Sequence, residues 1–129
     1  MKMKKIIKYG IIFAVVAFIF TSLIIFNFSL YDKPKTLEKV ENISLFVDYN
    51  NGTIKSRENF TLEGGKTTAF DALIKWCKVT YEDYGWGIFV TSIDGVEGDW
   101  IYFVNNQSPS VGASVYPLKN NDVVKWQKL

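Results

Sequence analysis

Three carboxylates fall within six residues in the segment DGVEGD: Asp94, Glu97 and Asp99. Acids this close together can cradle calcium, but their spacing does not follow that of an EF-hand loop. The two glycines among them instead read as a solvated hairpin turn. Glu82 and Asp83 are adjacent, so in an extended segment they diverge and form no general acid–base pair. The chain contains no His, which removes the commonest general base, the commonest zinc ligand and every Ser-His or Cys-His arrangement. Its one Cys, Cys77, cannot form an internal disulfide. The residues therefore imply no catalytic group, no metal set and no cofactor, and the protein is expected not to be an enzyme.

What stands out instead is aromatic. GWGIFVTSIDGVEGDWIYFVNN, residues 85–106, holds two Trp, two Phe and one Tyr. It reads as two strands flanking the acidic turn, and its aromatics either pack a core or present a surface. Trp100 and Tyr102 share one strand face and Ile101 and Phe103 the other. Such a strand has two covered faces or one exposed aromatic face. Trp86 lies between two glycines where core packing is harder to arrange, and Trp126 shares parity with Val124 near the C-terminus as a core pair.

Those strands need a setting. Tyr9–Tyr31 is a run of 23 residues without a charge. As a helix it would extend about 34 Å, enough for a hydrocarbon core roughly 30 Å thick. Lys2, Lys4, Lys5 and Lys8 precede it and place the N-terminus in the cytoplasm. A cleaved signal peptide is the alternative, but the run is long for one and ends on bulky Phe28 and Leu30 beside Ser29. The expected organisation is a basic cytoplasmic stub over residues 1–8, a transmembrane anchor over 9–31, a polar linker over 32–42, and an extracytoplasmic domain over 43–129. From Tyr31 onward eleven Lys+Arg face thirteen Asp+Glu, a balance of −2. No basic patch suggests nucleic acid. The predicted location is the cell membrane, single-pass, with lipid contacted through the N-terminal helix.

Within the domain, ISLFVDY alternates as a half-buried strand, and NNG turns it into a second strand with Ile54, Phe60 and Leu62 on one parity. The polar KSRE in its middle suits an exposed edge. TTAFDALIKWCK then switches to helical spacing. Phe70, Leu73, Ile74 and Cys77 form one apolar face, and Thr68 with Asp71 has the spacing of a capping box. Cys77 is thus expected to be a buried small hydrophobe. GIFVTSI, DWIYFVN and VYPLKNNDVVKW follow as further strand candidates. The order predicts an α+β layer architecture, a mixed sheet with one helix packed across one face, with the β-grasp as the natural candidate. Four Asn-X-Ser/Thr triplets begin at Asn42, Asn51, Asn59 and Asn106, and matter only in a host that glycosylates its surface proteins.

Five blocks in order carry a resemblance: YNNG, GGKTTAFDALIK, GIFVTSIDGV, DWIYFVNN and GASVYPLKNNDVVKW. Together they resemble the transcobalamin-like C-terminal domain family over about residues 43–129. These are β-grasp domains found at the C-terminus of cobalamin carriers and as stand-alone domains on microbial surface proteins.

The resemblance implies ligand contacts from Gly85, Trp86, Gly87 and Ile88, from Trp100, Ile101 and Tyr102, and from the loop Asn105, Asn106, Gln107 and Ser108. It implies a soluble ligand, cobalamin or another corrinoid, bound alone or with a partner surface protein. The carriers place most of their ligand surface on a large helical domain that this chain lacks. Asn105-Asn106 stands where many relatives have Asn-Gly, which preserves a left-handed turn and adds polar reach. The alternative is a structural or protein-interaction domain at the cell surface.

Overall fold

The structure is a computed structural model that describes residues 36–129. The predicted stub and anchor, and the first part of the linker, lie outside the described residues. Among the described residues no helix is long and apolar enough to cross a membrane.

Seven strands and one helix follow in order: β1 Val40–Asp48, β2 Ile54–Leu62, α1 Ala69–Trp76, β3 Val79–Asp83, β4 Ile88–Ile93, β5 Val96–Glu97, β6 Trp100–Val104 and β7 Val123–Lys128, with a 3-10 turn at Ala113–Val115. A four-stranded sheet has the order β2-β1-β7-β6, and a three-stranded sheet the order β3-β4-β5. The larger sheet is mixed, because β1 and β7 run parallel while its other neighbours are antiparallel. The α+β class with one helix and a mixed sheet holds.

β1 begins at Val40, inside the expected linker, because Val40 is buried and pairs with Leu62. Its alternation is as read: Ile43, Leu45, Val47 and Tyr49 are all buried. β2 departs from its reading. Leu45 pairs with Arg57 but Ile43 pairs with Phe60, so the longer stretch on β2 bulges around Asn59, whose φ is +53°. Parity flips across the bulge. Phe60 and Leu62 stay in the core while Ile54 is 61 % exposed and Lys55 turns to the helix side.

Helix α1 begins as expected. Thr68 Oγ1 accepts the Asp71 N–H at 3.1 Å, and Asp71 Oδ2 accepts the Thr68 N–H at 3.0 Å. Ala69, Phe70, Ala72 and Leu73 pack into the core, and Cys77 is buried just past the last turn. Ile74 is a correction: it is 44 % exposed. The helix is only two turns long, and its contact arc closes on Ala69, Ala72 and Leu73 rather than widening to Ile74.

The expected hairpin through DGVEGD is also corrected. β4 pairs along its length with β3, a strand not among the expected ones, and with only the two residues of β5. β6 pairs with β7 in the other sheet. The segment Gly98–Asp99 thus carries the chain between sheets. VYPL, read as part of a strand, instead leaves the 3-10 turn and binds the start of α1, where Ala69 N–H donates to Tyr116 O at 3.1 Å.

Candidate functional site

Register determines which of the proposed contact residues meet. β6 runs antiparallel to β7, and Asn105 N–H donates to Val123 O at 2.8 Å. β7 itself starts beside Ser44. The loop Asn105–Ser108 therefore sits at the end of the large sheet where β1 begins. In the small sheet, the residue after β4 is Asp94, whose carboxylate meets Tyr49 just past the other end of β1. The opposite end of β4, with Trp86, is the end away from that contact. Gly112 ties the two regions together. A Cβ built on it would lie 3.6 Å from Gly87 Cα, and only three residues separate Gly112 from Ser108. The Trp86 turn therefore lies against Gly112, four residues past the loop Asn105–Ser108.

The Trp86 turn is built by backbone and local side chains. Tyr84 N–H donates to Gly87 O at 3.0 Å, and Gly85 N–H donates to Asp83 Oδ1 at 2.8 Å. Gly85 has φ +82°, a conformation that glycine adopts without a Cβ penalty. Trp86 is 80 % exposed, and its ring stacks on Tyr84 with centroids 5.8 Å apart. The Tyr84 hydroxyl donates to Glu82, and this bond with the carboxylate's charge raises the phenol's pKa.

The loop that follows β6 is held just as locally. Val104 and Gln107 exchange backbone hydrogen bonds, and Asn105 and Asn106 occupy the left-handed region at φ +51° and +65°. Asn105 is committed to structure: its Nδ2 donates to Asp122 Oδ1 and its Oδ1 accepts Val123 N–H, each at 2.9 Å. Asn106, Gln107 and Ser108 are exposed.

The third proposed group is divided by the sheet. Trp100 is 6 % exposed, meets Tyr49 edge-on, and donates its indole N–H to Val96 O at 3.1 Å. Tyr102 stacks on Trp126 with centroids 5.3 Å apart and donates its hydroxyl to Val111 O. Burial and the neighbouring Tyr116 raise its pKa. Ile101 lies on the opposite face with Phe103 and is half-buried. Trp100 and Tyr102 are thus core-side residues, and Ile101 points away from them. A single ligand cannot use all three.

Asp94 is the residue whose role was missed. Expected to be a solvated turn acid, it accepts Tyr49 Oη–H at 2.5 Å, Lys78 N–H at 2.9 Å and Lys55 Nζ at 3.2 Å. Burial pushes its carboxyl pKa up, but these three donors outweigh that and leave it below the ordinary value. Tyr49 is raised by burial and by the same carboxylate. Lys55 Nζ also donates to Trp76 O at 2.6 Å, occupying a carbonyl at the C-terminus of α1. Beside this cluster Cys77 is pushed up to about 11 by burial first and by the Asp94 charge second, which keeps it a protonated thiol at neutral pH. A short apolar spacing could not have signalled this cluster, because its members come from four separate segments.

Among the described residues no group of three or more His, Cys, Asp or Glu side chains is placed to hold a metal ion. A shallow groove of about 290 Å³ lies elsewhere, against the exposed side of α1, lined by Leu62, Glu63, Lys66, Asp71, Ile74 and Lys75. The residues of the Trp86 rim take no part in it.

Comparison with known proteins bears on the fold. No curated protein has a significant match to the chain. Solved structures that share its fold include these two. One is a proposed metal-binding protein from Ruminococcus gnavus, with a TM-score of 0.56 and 17 % identity over 67 % of this chain and 94 % of that one. The other is haptocorrin in complex with Cbi, with a TM-score of 0.53 and 20 % identity over 72 % of this chain. The chain spans only 26 % of haptocorrin's length. Residues 66–128 match the domain described as "Domain of unknown function (DUF4430)". Over those residues the chain is similar to the DUF4430 domain family, and its fold is similar to part of haptocorrin, in keeping with the resemblance to transcobalamin-like domains.

Proposed function

We propose that the protein is a membrane-anchored, extracytoplasmic, non-catalytic module that binds a soluble, largely uncharged ligand at the rim formed by Trp86 and the loop Asn105–Ser108. The carrying observation is Trp86: a large aromatic ring left 80 % exposed on a hydrogen-bonded turn, with the exposed amides of Asn106 and Gln107 in the neighbouring loop region. Flat aromatic surface and nearby amides suit a large planar ligand bearing amide groups. A corrinoid is the first candidate, supported by the fold shared with haptocorrin in complex with Cbi. The strand order β2-β1-β7-β6, with its first and last strands parallel at the centre, supports reading the domain as a β-grasp. Its rim is too open to enclose such a ligand, so a partner surface protein would supply the other wall. Against catalysis stand the lack of any His and the protonated Cys77.

The test is thermal unfolding of the purified protein with corrinoids, including cobinamide. Ligand at about 100 Kd should raise stability by roughly 2.7 kcal/mol. No shift at millimolar corrinoid would reject this ligand class for the isolated protein.

A second reading, a protein-interaction domain, has its own support. Phe46, Ile101 and Phe103 are half-buried on the face of the large sheet away from α1, and Phe46 and Phe103 flank Lys125. Pull-down with a Phe103→Asp variant would separate the two, since that change leaves the Trp86 rim intact.

A further inference from the structure

The Trp86 rim is also where the chain enters the domain. Thr67 Oγ1 donates to Leu37 O at 2.6 Å, and Thr67 O accepts the Leu118 N–H at 2.9 Å. Tyr116, two residues before Leu118, holds the start of α1 and closes the 3-10 turn that follows Gly112. Leu37, Gly112 and Gly87 are therefore steps along one end of the domain.

That end gathers much of the apolar surface. Leu37, Tyr84, Trp86, Val111 and Val123 are five of the ten exposed large hydrophobic residues among those described. The turn Tyr84–Gly87 and the whole stretch 105–118 contain no Lys, Arg, Asp or Glu, in a chain that is 22 % charged. The polar groups in those two segments are neutral: amides, hydroxyls and the Trp86 indole. Exposed Trp and Tyr rings among neutral hydrogen-bonding groups match the head-group layer of a bilayer, where an amphipathic ring keeps its body in apolar surroundings and its polar edge in water.

The sequence limits how far this end can be from lipid. Only residues 32–36 separate the uncharged run from Leu37, a stretch of chain that extends to about 20 Å at most. We infer that this end of the domain rests on the zwitterionic head-group layer of the membrane, with the Trp86 ring seated in the interface. The inference rests on the reading of residues 9–31 as a membrane anchor, but not on the identity of any soluble ligand. It goes beyond the ligand reading by placing lipid and ligand in competition for Trp86. The two segments carry no basic group and only the Glu82 and Asp83 carboxylates stand behind the Trp86 turn, so the contact needs no anionic lipid and does not weaken at high salt.

The experiment is bromolipid quenching. The full-length chain is reconstituted into phosphatidylcholine vesicles with and without bromine on the acyl chains near the head group, and Trp emission is read at low and high salt. Trp76, Trp100 and Trp126 are half-buried or buried, so Trp86 is the emitter that lipid can reach. Brominated lipid should quench a definite share of the emission at both salt levels. Trp86→Phe should abolish most of that share while leaving the urea midpoint unchanged. Flotation of the chain with vesicles but no quenching, or equal quenching in Trp86→Phe, would overturn the contact alone. Failure of the chain to float with vesicles would overturn the anchor and the contact with it.

Discussion

The Asp94 carboxylate accepts a 2.5 Å hydrogen bond from the Tyr49 hydroxyl, joining the turn after β4 to the end of β1 across 45 residues of sequence. The same carboxylate holds Lys55 and the backbone of Lys78, so one side chain ties together β1, β2, the exit of α1 and the small sheet. Asp94→Asn keeps the left-handed backbone, which Asn tolerates, and removes only the charge. We expect it to cost about 1–2 kcal/mol in urea melts at pH 7. The folded-state pKa lies below the ordinary 3.8, so this contribution is complete above that pH and is lost as pH falls through the lowered value. The difference between wild type and Asp94→Asn should therefore shrink below about pH 4. A constant difference down to pH 2 would mean that the charge is not what matters.

Neighbouring residues on α1 should behave very differently. Leu73 is fully buried and Ile74 is not. Leu73→Ala should cost about 2–5 kcal/mol, because it opens a cavity at the helix–sheet interface. Ile74→Ala should cost less than about 1 kcal/mol. Equal losses would show that the helix is rotated from the position described.

Cys77 offers a readout of opening. Its thiol is buried and its pKa is pushed up to about 11, so almost no thiolate exists at neutral pH. Iodoacetamide at pH 8 should leave the folded protein unmodified and label it fully in denaturant. Rapid labelling without denaturant would contradict the placement of Cys77.

The rim can be probed without disturbing the fold. Trp86→Ala should change stability by no more than about 0.5 kcal/mol, given its exposure. Asn106→Gly retains a residue that accepts positive φ and deletes the amide. Both should weaken ligand binding severalfold in a titration. Asn105→Ala should instead destabilise the protein by about 1–2 kcal/mol, because it strips hydrogen bonds from Asp122 and Val123.

Much of this fold was legible in the sequence, and the failures have local causes. Regular periods revealed β1 and α1, since both bury one face and the capping pair Thr68–Asp71 is a short-range device. β2 misled because a bulge at Asn59 shifts parity midway, and a parity count assumes none. β3 was hidden by its polar residues: Thr80, Glu82 and Asp83 lie on an exposed edge strand with little need for alternation. The candidate site was half legible. Exposed Trp86 between glycines is a local signal, whereas the commitment of Trp100 to the core depends on Tyr49, far away in sequence. Asp94 looked like any turn acid because nothing near it in sequence names Tyr49 or Lys55 as partners.

The parallel pairing of β1 with β7 has a consequence for biogenesis. The strand that forms first on the ribosome sits at the sheet centre beside the strand made last, with Ser44 opposite Val123. Until residues 123–128 emerge, β1 keeps one open edge and β6 has no neighbour in its sheet. The large sheet therefore cannot close before β7 has been made. Pairing between such distant segments slows folding and leaves the β1 edge open to wrong partners until β7 arrives.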